Sequence, residues 1–406
     1  MNNFNKNKDS FTDQDIKYMK LAINLAEKGR GKTNPNPMVG AVIVRNSKII
    51  STGYHKKAGY AHAEIEAIKN CREPMDGSTM YTTLEPCTTY GKTPPCVDEI
   101  IKHKFKEVVI GCIDPNPRVN GNGANILTKS GIKVRKGLLE DEISAQNEVF
   151  FKHIKTRTPF ICCKIASSID GKLATKTSDS KWITSEKSRK IVQHLRREYD
   201  CILTGINTIL IDDPFLFPRK KININSSDIN LGINNINFNK DNNHKFYRAI
   251  LDSRLRIKPD SNIIKTSKLI KTIIFIDNKN ENNIKVKNKI SKLKEKNIDI
   301  LPVNTERENN SKTKKLNIKK ILDILYNQYT ITSILLEAGP TVITYFLKNN
   351  LIDKFIIFLA PKIIGGDSRY SMFSKLNIDK IKNSVKMKFN SIKKIGEDLI
   401  IYAYPI

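Results

Sequence analysis

The sequence is poor in long apolar runs: the longest, Phe355 to Ala360, is far shorter than the roughly 20 residues that a membrane-spanning helix needs. No membrane partner is therefore expected. Cysteine is sparse and odd in number, seven in 406 residues, and the spacings do not suggest pairs. This points to a reducing compartment rather than a disulfide framework. The polar opening, Met1 to Ser10, gives no sign of a signal peptide, so a cytoplasmic location is expected. Acidic residues are outnumbered, 41 against 70 basic, for a net charge of +29. The excess comes with abundant Asn and Ile, runs through segments such as 285–296 and 312–320, and has no aromatics interleaved as stacking platforms. An AT-rich coding bias accounts for it, and no nucleic-acid partner is expected. No strand is followed by G-x-G-x-x-G, so a Rossmann dinucleotide site is not supported, and no solenoid-like repeat is present.

What is there is a compact set of metal-binding residue types. His62-Ala63-Glu64 is followed by Pro86-Cys87 and then Pro94-Pro95-Cys96. One imidazole and two thiolates make three protein ligands for zinc and leave a fourth position for water, whose pKa the metal lowers toward neutrality. A carboxylate that is not a ligand then shuttles protons. This is the layout of zinc-dependent nucleobase deaminases, with eight residues between the cysteines in place of two. Positions i and i+2 of a regular helix splay about 200° apart, so His62 and Glu64 share one metal only at an irregular opening turn. Each cysteine follows a proline, a residue favoured at a helix start, which predicts both sulfurs at positive dipole ends. Core cysteines and a stray surface histidine would explain these residues singly, but not as a set.

The chain is long enough for two domains. Thr12 is placed to cap a helix with apolar positions Ile16, Met19, Ile23 and Ala26. Strands over 39–44 and 48–52, a helix over 62–71, strands over 79–84 and 107–112, a helix over 124–129 and a strand over 132–135 follow. This alternation implies a layered sheet with the site residues at strand-to-helix junctions. After a polar connector over 155–159, a second unit opens with a strand over 160–166. It continues with a helix over 185–199 and strands over 201–204, 249–251 and 272–276. The Asn-, Lys- and Ile-rich stretch 220–245 reads as a loop insertion. The expected division is a first domain over 1–156, which carries the candidate zinc site, and a second over 157–406.

Further motifs are Pro35-Asn36-Pro37, Thr83-Leu84-Glu85-Pro86-Cys87, Gly91-Lys92-Thr93-Pro94-Pro95-Cys96 and Asp114-Pro115-Asn116-Pro117. The second half adds Ser168-Ile169-Asp170-Gly171-Lys172, Trp182-Ile183-Thr184-Ser185, Asp212-Asp213-Pro214, Glu337-Ala338-Gly339-Pro340-Thr341 and Ala360-Pro361-Lys362. With these, nearly the whole chain resembles the bifunctional deaminase-reductases of riboflavin biosynthesis. The resemblance implies an α/β protein: a cytidine-deaminase-like α/β/α layered domain followed by a dihydrofolate-reductase-like α/β domain. It implies zinc held by His62, Cys87 and Cys96, and hydrolytic deamination of a diaminopyrimidinone ribosylamino 5'-phosphate with Glu64 as the proton carrier. NADPH-dependent reduction of the ribosyl group to a ribityl chain would follow.

Carried over by position, Ala166, Trp182, Thr208, Asp212, Ser253, Gly339, Pro340 and Thr341 match cofactor contacts. Ser180, Arg196, Leu216, Arg219 and Glu337 match substrate contacts. Asn36, His55 and Lys92 sit in stretches that line the deaminase substrate pocket in relatives. These three also read as a turn residue, a surface imidazole and a loop charge. The turn at Gly339 to Thr341, before a helix over 341–347, is a plausible phosphate cradle, and guanidinium forks at Arg196 and Arg219 suit a phosphate. Relatives often carry a histidine shortly after the first zinc cysteine, where this chain has Thr88-Thr89-Tyr90. The expected partners are the small-molecule substrate and further copies of the chain in a homo-oligomer. Two rival readings are a nucleic-acid-editing deaminase, which leaves the second half unexplained, and a reductase half decayed into a scaffold.

Overall fold

Thr12 starts helix α1 (Asp13–Glu27) as its position implies. Its hydroxyl accepts from the Asp15 backbone N–H at 3.2 Å while the Asp15 carboxylate accepts from the Thr12 N–H at 2.8 Å, a reciprocal capping box. The helix buries Met19, Ala22, Ile23 and Ala26 against the first sheet. The structure is a computed structural model describing residues 9–90, 94–218, 245–281, 283–307, 314–366 and 370–406. The chain divides into two units, Met1–Arg157 and Thr158–Ile406.

In the first unit the elements after α1 are β1 (Gly40–Arg45), β2 (Lys48–Tyr54), α2 (Ala63–Asn70), β3 (Thr79–Leu84) and α3 (Cys96–Lys102). Then come β4 (Glu107–Cys112), α4 (Asn122–Lys129), β5 (Lys133–Lys136), α5 (Glu140–Gln146) and α6 (Glu148–Thr156). The sheet order is β2-β1-β3-β4-β5, with β1 antiparallel to β2 and β3, and β3, β4 and β5 parallel. The parallel pair β3/β4 brings the loops after both strands out at one end, where open α/β sheets bind ligands. Two glycines let helices close on this site. A Cβ at Gly53 would lie 2.3 Å from the Ala67 nitrogen of α2, and one at Gly123 would lie 2.3 Å from the Pro86 carbonyl oxygen.

The second unit contains β6 (Phe160–Ser168), α7 (Glu186–Glu198), β7 (Cys201–Gly205), α8 (Ile206–Asp212), β8 (Tyr247–Leu251) and α9 (Asn262–Lys265). It continues with β9 (Lys271–Asp277), α10 (Ile284–Lys294), β10 (Ile298–Val303), β11 (Thr305–Arg307), β12 (Lys314–Leu316) and α11 (Ile318–Tyr329). It ends with β13 (Ser333–Leu336), α12 (Pro340–Lys348), β14 (Lys354–Ala360), β15 (Met387–Ile395) and β16 (Asp398–Pro405). The nine-stranded sheet runs β10-β9-β8-β7-β13-β6-β14-β16-β15; the strands from β10 through β14 are parallel and the hairpin β15/β16 is antiparallel. β6, β7 and β13 lie side by side, so the segments following them face one crevice.

Two expectations need correction. No helix begins at Cys87, which lies in coil after β3. The connector expected at 155–159 is shorter, because α6 extends through Thr156 and ends at Arg157 in the left-handed conformation, φ 54°. The stretch 220–244 lies outside the described residues.

Candidate active sites

At the end of β3 and the starts of α2 and α3, three donor atoms converge. The Nδ1 of His62 is 3.5 Å from the Cys87 sulfur and 3.3 Å from the Cys96 sulfur, and all three donors lie within 4.8 Å of one another. A tetrahedral zinc with Zn–S near 2.3 Å and Zn–N near 2.0 Å has donor-to-donor edges of about 3.6 Å. The donor set therefore fits zinc in both chemistry and size. His62 is the residue that caps α2, in extended backbone (φ −70°, ψ 164°); this is the irregular start that lets Glu64, two residues on, share its side. Cys96 opens α3 after Pro95. Cys87 has no helix of its own, but its sulfur accepts the Cys96 backbone N–H at 3.4 Å, so the start of α3 serves both sulfurs.

Electrostatics make this site receptive to a cation. The Cys87 thiol is pulled down to about 4, chiefly by a hydrogen bond with the Cys96 side chain, with His62 and the Cys96 backbone N–H adding to the effect against burial. That bond and burial push Cys96 up. His62 is raised to about 9, chiefly by the Cys87 sulfur. Burial pushes Glu64, only 3% exposed, up to about 7, and its Oε2 accepts from the Cys96 thiol at 3.6 Å. A thiolate, a thiol and a protonated imidazole are thus held where a divalent ion displaces protons as it binds.

The surroundings brace this cluster. His55 is 2% exposed, and burial lowers its basicity. Its Nδ1 donates to the Ala61 carbonyl at 3.0 Å, which leaves Nε2 to accept the Asn36 amide at 3.2 Å. The ring packs edge-on against His62, 5.5 Å between centroids. Glu85 was quoted only as part of a motif, yet its carboxylate accepts the backbone N–H groups of Asp114 (3.2 Å), Gly121 (2.9 Å) and Ala124 (3.1 Å). It thereby ties the Asp114 loop and the start of α4 beneath the cysteine loop. Lys92 lies outside the described residues.

The second unit holds a cleft of about 1040 Å³. Ala166, Ser180, Trp182, Arg196, Thr208, Asp212, Leu216, Glu337, Gly339, Pro340 and Thr341 all line it. Ser253 stands apart from that lining. Its carbonyl accepts from the Asp277 N–H at 3.0 Å and the Asn280 amide at 2.7 Å. Arg219 lies outside the described residues. Gly339 precedes α12, with Pro340 at its first turn. Trp182 is 64% exposed with the Arg189 guanidinium 4.3 Å above its ring, so it is not a core residue. The Ser180 hydroxyl donates to Asp212 at 3.0 Å.

Three of the cleft's charges pair with one another. Arg196 donates its fork to Glu337, Nε at 2.6 Å and Nη2 at 3.0 Å, and Lys164 adds a contact at 3.2 Å. Burial opposes ionisation of Glu337, but the two cations hold it at about 2. Lys164 was missed by sequence reasoning. The available signal was a lysine in the apolar strand Phe160-Ile161-Cys162-Cys163-Lys164-Ile165, where a charge is retained only with a partner.

Comparison with known proteins places both halves. Residues 12–112 match the cytidine and deoxycytidylate deaminase zinc-binding region, and residues 159–401 match the RibD C-terminal domain. The chain is 41% identical to the riboflavin biosynthesis protein RibD of Buchnera aphidicola, over 95% of this chain and 97% of that protein. It is 39% identical to RibD of Aquifex aeolicus, over 96% of this chain and 98% of that one. The solved structure of Acinetobacter baumannii RibD superposes with TM-score 0.79 at 33% identity, covering 97% of this chain and 99% of that chain. A Thermotoga maritima diaminohydroxyphosphoribosylaminopyrimidine deaminase/5-amino-6-(5-phosphoribosylamino)uracil reductase gives TM-score 0.76 at 31% identity, covering 97% and 99%. The expected fold class, a deaminase-type domain followed by a reductase domain, holds.

Proposed function

Since this chain belongs to the RibD family, the bifunctional deaminase-reductases of riboflavin biosynthesis, we propose residue roles for its two sites. The protein is a zinc hydrolase that removes a pyrimidine amine and an NADPH-dependent oxidoreductase that reduces the attached ribosyl group. The observation that carries the residue assignment is the donor triangle of His62, Cys87 and Cys96 backed by buried Glu64.

In the deaminase, His62, Cys87 and Cys96 hold the zinc. A zinc ion bound there supplies Lewis acidity and a nucleophilic water at neutral pH. Glu64 takes a proton from the attacking water on its carboxylate, delivers it to the ring nitrogen and then assists departure of ammonia. His55 keeps the neutral tautomer and steadies the His62 ring, while Asn36 and Lys92 meet the substrate. In the reductase, the cleft binds NADPH through Ala166, Trp182, Thr208, Asp212 and the Gly339–Thr341 turn, while Ser253, outside that lining, is assigned to the cofactor by resemblance alone. Ser180, Arg196, Leu216, Arg219 and Glu337 would orient the substrate beside the bound cofactor, which would supply the hydride. Because Glu337 occupies the Arg196 fork, we assign Arg196 to holding that carboxylate in place as well as to substrate contact, and Arg219 to the substrate phosphate.

The deaminase domain is 1–156 and the reductase domain 157–406. The enzyme works in the cytoplasm as a homo-oligomer without nucleic acid. None of the seven cysteines is in a disulfide, which suits a reducing compartment. Edge strand β15 carries exposed Phe389 and Ile392, the kind of edge that pairs with another copy. No helix among the described residues is long and apolar enough to cross a membrane. A coupled assay on the full chain tests the assignment. Ammonia release should require zinc, and NADPH consumption should follow when deaminated substrate is supplied; NADPH turnover at background would favour the scaffold reading of the second half. Deamination that falls steeply with salt would instead support the nucleic-acid reading.

A further inference from the structure

Arg248, on β8, is fully buried at 0% exposure, yet none of its hydrogen bonds goes to a carboxylate. Its Nε donates to the Thr272 hydroxyl (3.1 Å). Nη1 donates to the Phe215 carbonyl (3.0 Å) and the Thr266 hydroxyl (2.7 Å). Nη2 reaches the carbonyls of Ile263 (2.9 Å) and Ile270 (3.3 Å) and again Thr272 (2.9 Å). An aliphatic side chain would fill this space without the cost of desolvating a guanidinium, so the fork is retained for what it joins. It joins α9 and the start of β9, two pieces of scaffold, to the segment that follows α8.

That segment, 212–217, is a strained part of the reductase cleft. Asp213 (φ 38°) and Leu216 (φ 47°) both occupy the left-handed region without being glycine, a conformation that persists only where its surroundings over-determine it. Asp212 through Leu216 line the cleft. A second clamp comes from α9, which Arg248 itself anchors. Asn262 donates its backbone N–H to the Asp213 carboxylate (2.9 Å) and its amide to the Asp213 carbonyl (2.8 Å).

We propose that Arg248 is a positioning residue of the reductase, pinning the 212–217 segment so that Asp212 and Leu216 are presented to cofactor and substrate. The proposal rests on the reading of this cleft as the reductase site. Arg248→Met, close in size and without donors, should raise KM for NADPH and for the deaminated substrate roughly tenfold or more, since an ångström of misplacement costs on the order of 100-fold in efficiency. Ammonia release, measured on the same full-length preparation, should be unchanged. Arg248→Lys, with one donor group in place of a fork, should fall between. Thr266→Val removes a single partner that does not line the cleft, and should raise both KM values roughly threefold, the size of one net hydrogen bond.

If KM for both ligands stays at the unmutated value while only the concentration of active sites falls, Arg248 is merely structural and the proposal is overturned. Should Arg248→Met fail to fold, Thr266→Val decides by the same criterion. Failure of the underlying reading is separately visible, because the unmutated chain would then consume no NADPH.

Discussion

At the metal centre, a Cys87 thiolate stands ready for a cation that displaces the protons of His62 and Cys96, whereas in the reductive cleft Glu337 is already bracketed by Arg196 and Lys164. The contrast follows from where each reaction finds its driving group. Hydrolysis of an amine needs a resident electrophile, so the protein builds an incomplete charge cluster and fills it with a metal. Hydride transfer brings its own reagent with each turnover, so the cleft needs only a neutralised, rigid lining that orients two ligands. Preorganisation also differs. The zinc ligands are set by the starts of two short helices and one loop, while the cleft residues come from positions as far apart as Lys164 and Tyr370.

Substitutions sharpen this contrast. Glu64→Gln should lower deamination on the order of 100- to 10,000-fold, the span of general acid-base catalysis, with zinc content and NADPH turnover on deaminated substrate unchanged. Near-normal ammonia release would remove Glu64 from the mechanism. Cys87→Ser should lose zinc and deamination together while sparing reduction, and an unaltered metal analysis would refute the ligand assignment. Glu337→Gln leaves the buried Arg196 and the half-buried Lys164 uncompensated and should destabilise the second unit by about 3 to 5 kcal/mol, read as a lower melting step with the deaminase unaffected. The sign of the pH effect follows from the lowered Glu337 value, about 2 against an ordinary 4.5. Its stabilisation is present above about 4.5 and lost as pH falls from there toward 2. Calorimetry should show that acid-sensitive component in the unmutated chain and not in Glu337→Gln. Thr12→Ala should cost only about 1 kcal/mol by removing the α1 cap, with both activities intact; a larger loss of either would mean that α1 bears on a site.

The metal centre was legible in the sequence because its residues are close in the chain and chemically distinctive, and because prolines and a helix start fix their geometry. Strands β3 and β4 matched their expected limits, Thr79–Leu84 and Glu107–Cys112, since both are short segments rich in β-branched residues. The cleft was legible only through family resemblance, because its residues are individually ordinary. Lys164 and Arg248 were missed for the same reason: their roles depend on partners such as Glu337 and Phe215 that no local pattern connects to them. The start of α3 serving both sulfurs was also hidden, since Pro86 before Cys87 resembles a helix start and only the fold shows coil there. The hairpin β15/β16 went unread because β15 exposes Phe389 and Ile392 and lacks the alternation of a half-buried strand.

The most direct measurement is metal content against the two activities in one full-length preparation, before and after chelation and after adding zinc back. The account predicts one zinc per chain. Ammonia release should vanish on chelation and return with zinc, while NADPH oxidation with deaminated substrate continues throughout. Metal-free protein that still releases ammonia, or zinc-loaded folded protein that leaves the pyrimidine amine untouched, would contradict it.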